Sequence, residues 1–162
     1  MKGSKKVVKT LNDLLAFELT AADHYFVHSQ MFADWGLNHL HDHIKHEWEE
    51  ELEHARRLIE RILFLEGTPN VADRLKLNIG KDTPSMLKHD LDTEYLGVKK
   101  LKDAISLCEK EQDYHTRTIL EGLLDDTEMD HAYWLEKQLG LIDKMGLPNY
   151  IEHSAGHDDT NA

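Results

Sequence analysis

Apolar residues recur at spacings of three, four and seven along most of the chain, and no stretch alternates strictly enough to read as a strand. Val7, Leu11, Leu14, Leu15, Ala22, Tyr25 and Phe32 form the inward stripe of a first helix of roughly thirty residues, ending near the stretch DWGLNHL. A second helix is expected from about Leu40 to Glu66, stopped by Gly67, with Pro69 just beyond. The segment VADRLKLNIGKDTPS is too long and too mixed for a hairpin. Thr83 and Pro84 read as the N-cap and first residue of a third helix that runs to about Glu111. A fourth helix spans about His115 to Lys144, where GLPNY breaks it before a short fifth segment. Short links make helices one and two, and helices three and four, antiparallel neighbours. The longer middle connection can travel the length of the molecule. The expected fold is all-α: a four-helix bundle with a long crossover between helices two and three.

In steps of seven, each helix places one glutamate near mid-length on its apolar row. The rows are Leu11, Glu18, Tyr25, Phe32 on the first helix and Ile44, Glu51, Leu58, Leu65 on the second. Leu87, Glu94, Leu101, Cys108 follow on the third, and Glu121, Glu128, Leu135, Ile142 on the fourth, less clean because its first member is charged. Burying even one unpaired carboxylate costs several kcal/mol, so four in one core demand cations. Two of these glutamates are followed three residues later by histidine, as Glu51 and His54, and as Glu128 and His131. Composition alone yields about one such motif by chance, and a solvated helix face with an exposed histidine accounts for either pair taken singly. The register is more selective. Glu18 and Glu94 stand alone on helices one and three, and the two motifs come 33 and 34 residues later on helices two and four. A lone glutamate from each of two helices, with Glu-x-x-His from each of the other two, is the ligand arrangement of di-iron carboxylate bundles.

The residue types fit that chemistry. Two divalent ions a few ångströms apart repel, so Glu51 and Glu128 are expected to bridge them, with Glu18 and Glu94 capping one metal each. His54 and His131 add one imidazole apiece, and mixed oxygen and nitrogen donors suit iron in both oxidation states while leaving positions open for dioxygen. Tyr25, one heptad after Glu18, either hydrogen-bonds a ligand or donates an electron, or is a core aromatic with a satisfied hydroxyl.

Composition narrows the partners. The chain carries 19 Lys+Arg against 31 Asp+Glu, a net charge of -12, which argues against nucleic acid or an anionic membrane and suits a protein that attracts cations. Its single cysteine, Cys108, excludes an intrachain disulfide and any Cys-rich zinc or rubredoxin-type module within these residues. No apolar run reaches membrane-spanning length, and the opening MKGSKKVVKTLNDLL turns amphipathic without a cleavage site. A cytoplasmic location is therefore expected. Residues 1–162 read as a single domain, with HSAGHDDTNA, about 153–162, as a frayed tail.

At these residues the chain resembles bacterioferritin, in the ferritin-like superfamily. The likeness runs through MKGSKKVVKTLNDLLAFELTAADHYFVHSQMFADWGL, LIERILFLEGTPN, LKLNIGKDTPSML and GLIDKMGLPNY, and so covers nearly the whole chain. The resemblance implies a ferritin-like bundle, a hollow 24-subunit shell, a ferroxidase centre inside each subunit and a ferric mineral in the cavity. Carried over by residue, the centre is Glu18, Glu51, His54, Glu94, Glu128 and His131. It also points to His46 and Glu50 as inner-surface iron ligands, with Glu47 on the same surface or behind the ligands, whereas Glu49 and Glu53 read as solvated charge. Fe2+ with dioxygen or peroxide would be the substrates, and an electron-donor protein would serve iron release.

Two departures bear on function. Haem-binding bacterioferritins place a methionine directly after the bridging glutamate, and here that position is Leu52, with Lys45 and Asp23 fitting poorly in an apolar haem pocket. Haem is thus not expected in a homo-oligomer. The 34-residue interval from Glu94 to Glu128 is also one longer than the family pattern. Three readings follow: an iron-storage ferroxidase, a ferroxidase-bearing subunit of a mixed shell with a haem-binding sister chain, and a different di-metal carboxylate enzyme.

Overall fold

The computed structural model describes residues 1–156. Helix α1 (Lys5–Asp34) runs antiparallel to α2 (Asn38–Phe64), and the crossover leads to α3 (Thr83–Lys110). The fourth helix of the bundle comes in three consecutive pieces: α4 (Tyr114–Asp125), a π-helical segment (Asp126–Ala132) and α5 (Tyr133–Met145). A short α6 (Leu147–Ala155) closes the described chain, so the fold is the expected all-α bundle with a short C-terminal helix.

Local chemistry sets the boundaries, twice differently from the sequence reading. The N-cap of α3 is Asp82 rather than Thr83. Its carboxylate accepts the Ser85 N–H at 2.9 Å, the Ser85 hydroxyl accepts the Asp82 N–H at 3.1 Å, and Pro84 tolerates either of the first two helical positions. At the end of α2 it is Glu66, not Gly67, that takes the left-handed conformation, at φ 60. Gly67 is required for another reason: a Cβ there would stand 2.6 Å from the Val8 side chain. Gly146, at φ 79, separates α5 from α6. Tyr150 then docks α6, fully buried, with its hydroxyl donating to Gln138 at 2.8 Å. Because α6 continues to Ala155, residues 153–155 of the expected tail are helical, and 157–162 lie outside the described residues.

The crossover is fastened to α1 by three side chains one turn apart. Thr20 Oγ1 accepts the Leu75 N–H at 2.9 Å, His24 Nε2 accepts that of Asn78 at 2.8 Å, and His28 Nε2 accepts that of Gly80 at 3.1 Å. The other nitrogen of each imidazole reaches α3, at Thr93 and Asp90. These bonds give the strandless connection partners for its backbone groups.

The apolar core is divided. One cluster gathers Val7, Leu11, Leu15, Leu58, Ile62, Leu101, Leu120 and their neighbours. A second gathers Tyr25, Phe32, Leu40, Ile44, Leu87, Leu135 and Tyr150. Between them lies a belt of buried polar side chains supplied by all four helices of the bundle.

Candidate metal centre

Glu18 (α1), Glu51 and His54 (α2), Glu94 (α3) and His131 (π segment) are all buried in that belt. Glu51 sits at its middle. Its Oε1 lies 2.9 Å from His131 Nδ1 and its Oε2 lies 3.5 Å from His54 Nδ1. Glu18 Oε2 stands 3.7 Å from the same His54 nitrogen, and Glu94 Oε2 stands 3.7 Å from the same His131 nitrogen. The two imidazoles stack with ring centres 5.7 Å apart, and Tyr25 donates its hydroxyl to Glu94. The result is two adjacent triads, Glu18–Glu51–His54 and Glu51–Glu94–His131, each with its ligand atoms within 4.8 Å of one another and Glu51 common to both.

Glu128 is not brought to this centre. It is partly exposed on the outside of the fourth helix and pairs with Lys102 of α3. Of its expected row, only Leu135 is buried. The inward positions are Leu120, Leu123, Thr127, His131 and Leu135. The π segment accounts for this. Three residues advance about 300° in an α-helix, leaving Glu-x-x-His partners about 60° apart. In a π turn each N–H bonds five residues back, each residue advances less, and the gap widens. Residues four apart then share the inward face, here Thr127 and His131.

Behind the centre stands a further layer. His131 Nε2 is 2.8 Å from both Glu50 Oε2 and Glu47 Oε2, and only the Glu50 contact is aligned as a hydrogen bond. Glu47 also approaches His43 Nε2 at 2.8 Å, and His46 lies 3.3 Å from Glu50, so Glu47, Glu50 and His131 make a third triad. His54 Nε2 meets Asp126 at 3.2 Å. Glu47 is 1% exposed, more deeply placed than an inner-surface residue need be. Leu40, Glu47, His54 and Arg61 form a second buried heptad row on α2, the signal by which its position could have been read. His43 and Asp126 carry no comparable signal.

Burial and mutual contacts shift the acidities. Burial, with the Glu51 charge beside it, pushes Glu18 well above the ordinary carboxyl range. Burial also pushes at Glu51, but contacts from Glu18, His131 and His54 outweigh it and hold Glu51 well below that range. Glu94 is raised by burial. His54, despite its burial, is lifted to about 11 by Glu18 and Glu51, and His131 is lifted well above its usual value by Glu47, Glu50, Glu51 and Glu94. Burial raises Glu47, but His131 and His43 bring it to about 2. Tyr25 is raised well above the phenol range by burial and so keeps its proton.

Protons therefore do the neutralising in this belt, yet Glu18 Oε1, Glu51 Oε2, His54 Nδ1, His131 Nδ1 and both oxygens of Glu47 have no hydrogen-bond partner. Buried polar atoms seldom go unpaired. Oxygen and imidazole donors converging without sulfur fit divalent first-row cations, iron among them.

Comparison with known sequences agrees with the architecture. The ferritin-like domain profile matches residues 8–145. The chain is 53% identical to a bacterial ferritin of Synechocystis over 152 residues, covering 94% of this chain and 97% of that protein. It is 54% identical over 157 residues to a bacterial ferritin of Paramagnetospirillum magnetotacticum, covering 96% of each. A bacterioferritin of Mycolicibacterium paratuberculosis is 40% identical over 150 residues, 93% of this chain and 94% of that one.

Proposed function

We propose, from the premise that the chain belongs to the ferritin-like family, that it is an iron-storage ferroxidase: it oxidises Fe2+ inside its own bundle and deposits ferric mineral within a 24-subunit shell. The observation that carries this reading is Glu51, a carboxylate with one oxygen toward each of two imidazoles and a lone glutamate beyond each. Paired sites suit the substrate, since two Fe2+ surrender together the two electrons that take dioxygen to peroxide, or peroxide to water.

In this reading Glu51 bridges, Glu18 and His54 serve one site, and Glu94 and His131 serve the other. Tyr25 orients Glu94 through its hydroxyl and stands close enough to supply an electron. Asp126 fixes the His54 ring from behind, as Glu50 fixes His131, so that each Nδ1 faces the substrate. Glu47, Glu50 and His46 lead from His131 away from the centre and form the exit toward the inner surface of the shell. Stopped-flow oxidation of aerobic Fe2+, with particle size measured alongside, tests the reading. Fast oxidation in large particles is the expected result, and its survival in Glu51→Ala overturns it.

One observation favours a mixed shell. Leu52 is 41% exposed on α2 and offers no thioether where haem-binding relatives of the family would have one. A haem-bearing sister chain and an electron-donor protein would then supply reduction for iron release. No helix among the described residues is long and apolar enough to cross a membrane.

A further inference from the structure

The geometry points to Lys102 as a positioning residue for Glu128: it holds that carboxylate outside the bundle, and Glu128 leaves it for the centre when a second cation binds beside Glu94 and His131. This rests on the two-metal reading above. Charge gives the first argument. Two divalent cations bring four positive charges, and the centre presents three carboxylates: Glu18, Glu51 and Glu94. The nearby acids are committed elsewhere. Asp126 lies against His54 Nε2 with Arg57 3.7 Å away, and Glu47 and Glu50 face the far nitrogen of His131. Glu128 remains, on the same segment as His131 and paired with a lysine two turns along α3 from Glu94.

The helix supplies the second argument. A π turn is an α-helix carrying one residue too many, and the surplus can be passed along by small dihedral changes without unfolding a turn. Glu128 sits within that stretch, Asp126–Ala132, so converting its turn toward α geometry brings the carboxylate back toward the face of His131. What opposes the move is one ion pair whose side chains are 56% and 38% exposed. Such pairs are weak, so Lys102 sets the affinity of the second site without closing it.

The test uses full-length protein stripped with chelator and titrated with Co2+, read by calorimetry and by the ligand-field absorption of the bound metal. Wild type is expected to bind two Co2+ per chain in two steps. Lys102→Gln should tighten the second step by roughly two- to fivefold, the range an exposed ion pair supplies, and leave the first unchanged. Lys102→Arg should restore wild-type behaviour, and in a Glu128→Gln background Lys102→Gln should have no effect. Amide hydrogen exchange gives an independent readout: Zn2+ should slow exchange at residues 126–132 in wild type. Two bound Co2+ with an unaltered second step in Lys102→Gln, or exchange at 126–132 indifferent to Zn2+, would overturn the role of Lys102. Failure of wild type to bind Co2+ in the bundle would instead overturn the two-metal reading itself.

Discussion

Tyr25 and Glu94 are joined by a hydrogen bond inside the bundle, across 69 residues of sequence, with the phenol donating to the carboxylate. It ties α1 to α3 at the level of the centre. Tyr25→Phe keeps the ring and removes the donor, leaving a buried carboxylate oxygen unpaired at a cost of about 1–3 kcal/mol. The expected outcome is a lower melting temperature for chelated protein and slower Fe2+ oxidation with metal stoichiometry retained. Thermal unfolding and stopped-flow absorbance on the same preparations check both.

Glu18→Ala, Glu94→Ala and His131→Ala should each abolish the fast phase of Fe2+ oxidation and leave assembly intact. Removing a buried acid can stabilise chelated protein, because its desolvation outweighs its interactions there. Unchanged fast oxidation in Glu94→Ala would discard the proposed centre, and ultracentrifugation showing only monomer or dimer would remove the storage role.

Cation binding must displace protons. His54 is lifted to about 11 by its carboxylate neighbours, so it holds a proton at neutral pH that a divalent ion releases. Affinity for Zn2+ should therefore rise with pH, and calorimetry in buffers of different ionisation enthalpy should register net proton release. A pH-independent affinity would contradict this proton balance.

Acid and base act oppositely on chelated protein. His54 has its folded pKa above its ordinary 6.5, so its ion pairs stabilise fully below that value and are lost as pH climbs toward about 11. Glu47, ordinarily 4.5, stabilises above that value and loses its contribution as pH falls toward about 2. Denaturant unfolding across pH should show a Glu47-dependent loss in that acid window, absent in Glu47→Gln.

Reconstituted with haem, the homo-oligomer should lack a bis-methionine signature, and Leu52→Met should acquire it. Leucine fills a similar volume without a sulfur lone pair. Near-infrared magnetic circular dichroism distinguishes the two proteins.

Helical periodicity made the bundle and the crossover legible, and the structure brings five of the candidate ligands together: Glu18, Glu51, His54, Glu94 and His131. Glu128, expected as a second bridge, lies outside because Glu-x-x-His assumes α geometry and the π segment departs from it. Glu47, read from the resemblance as lining the inner surface or standing behind the ligands, stands behind His131, and a second row of α2 through Leu40, His54 and Arg61 carries it inward. The anchoring of the crossover by His24 and His28 could not be read, since each imidazole joins groups on separate elements.

The division of the apolar core has a mechanical consequence. Each end of the bundle is a hydrophobic block in its own right, and the blocks meet across a seam of charge. Protons balance that seam without fastening it. A cation held by Glu51, Glu94 and His131 would draw ligands from three helices, fasten the seam at one point and so raise the cost of parting either end from the other. Without a cation the two blocks are expected to part separately, and with one bound to part together, so the ion would act as a rivet across the seam.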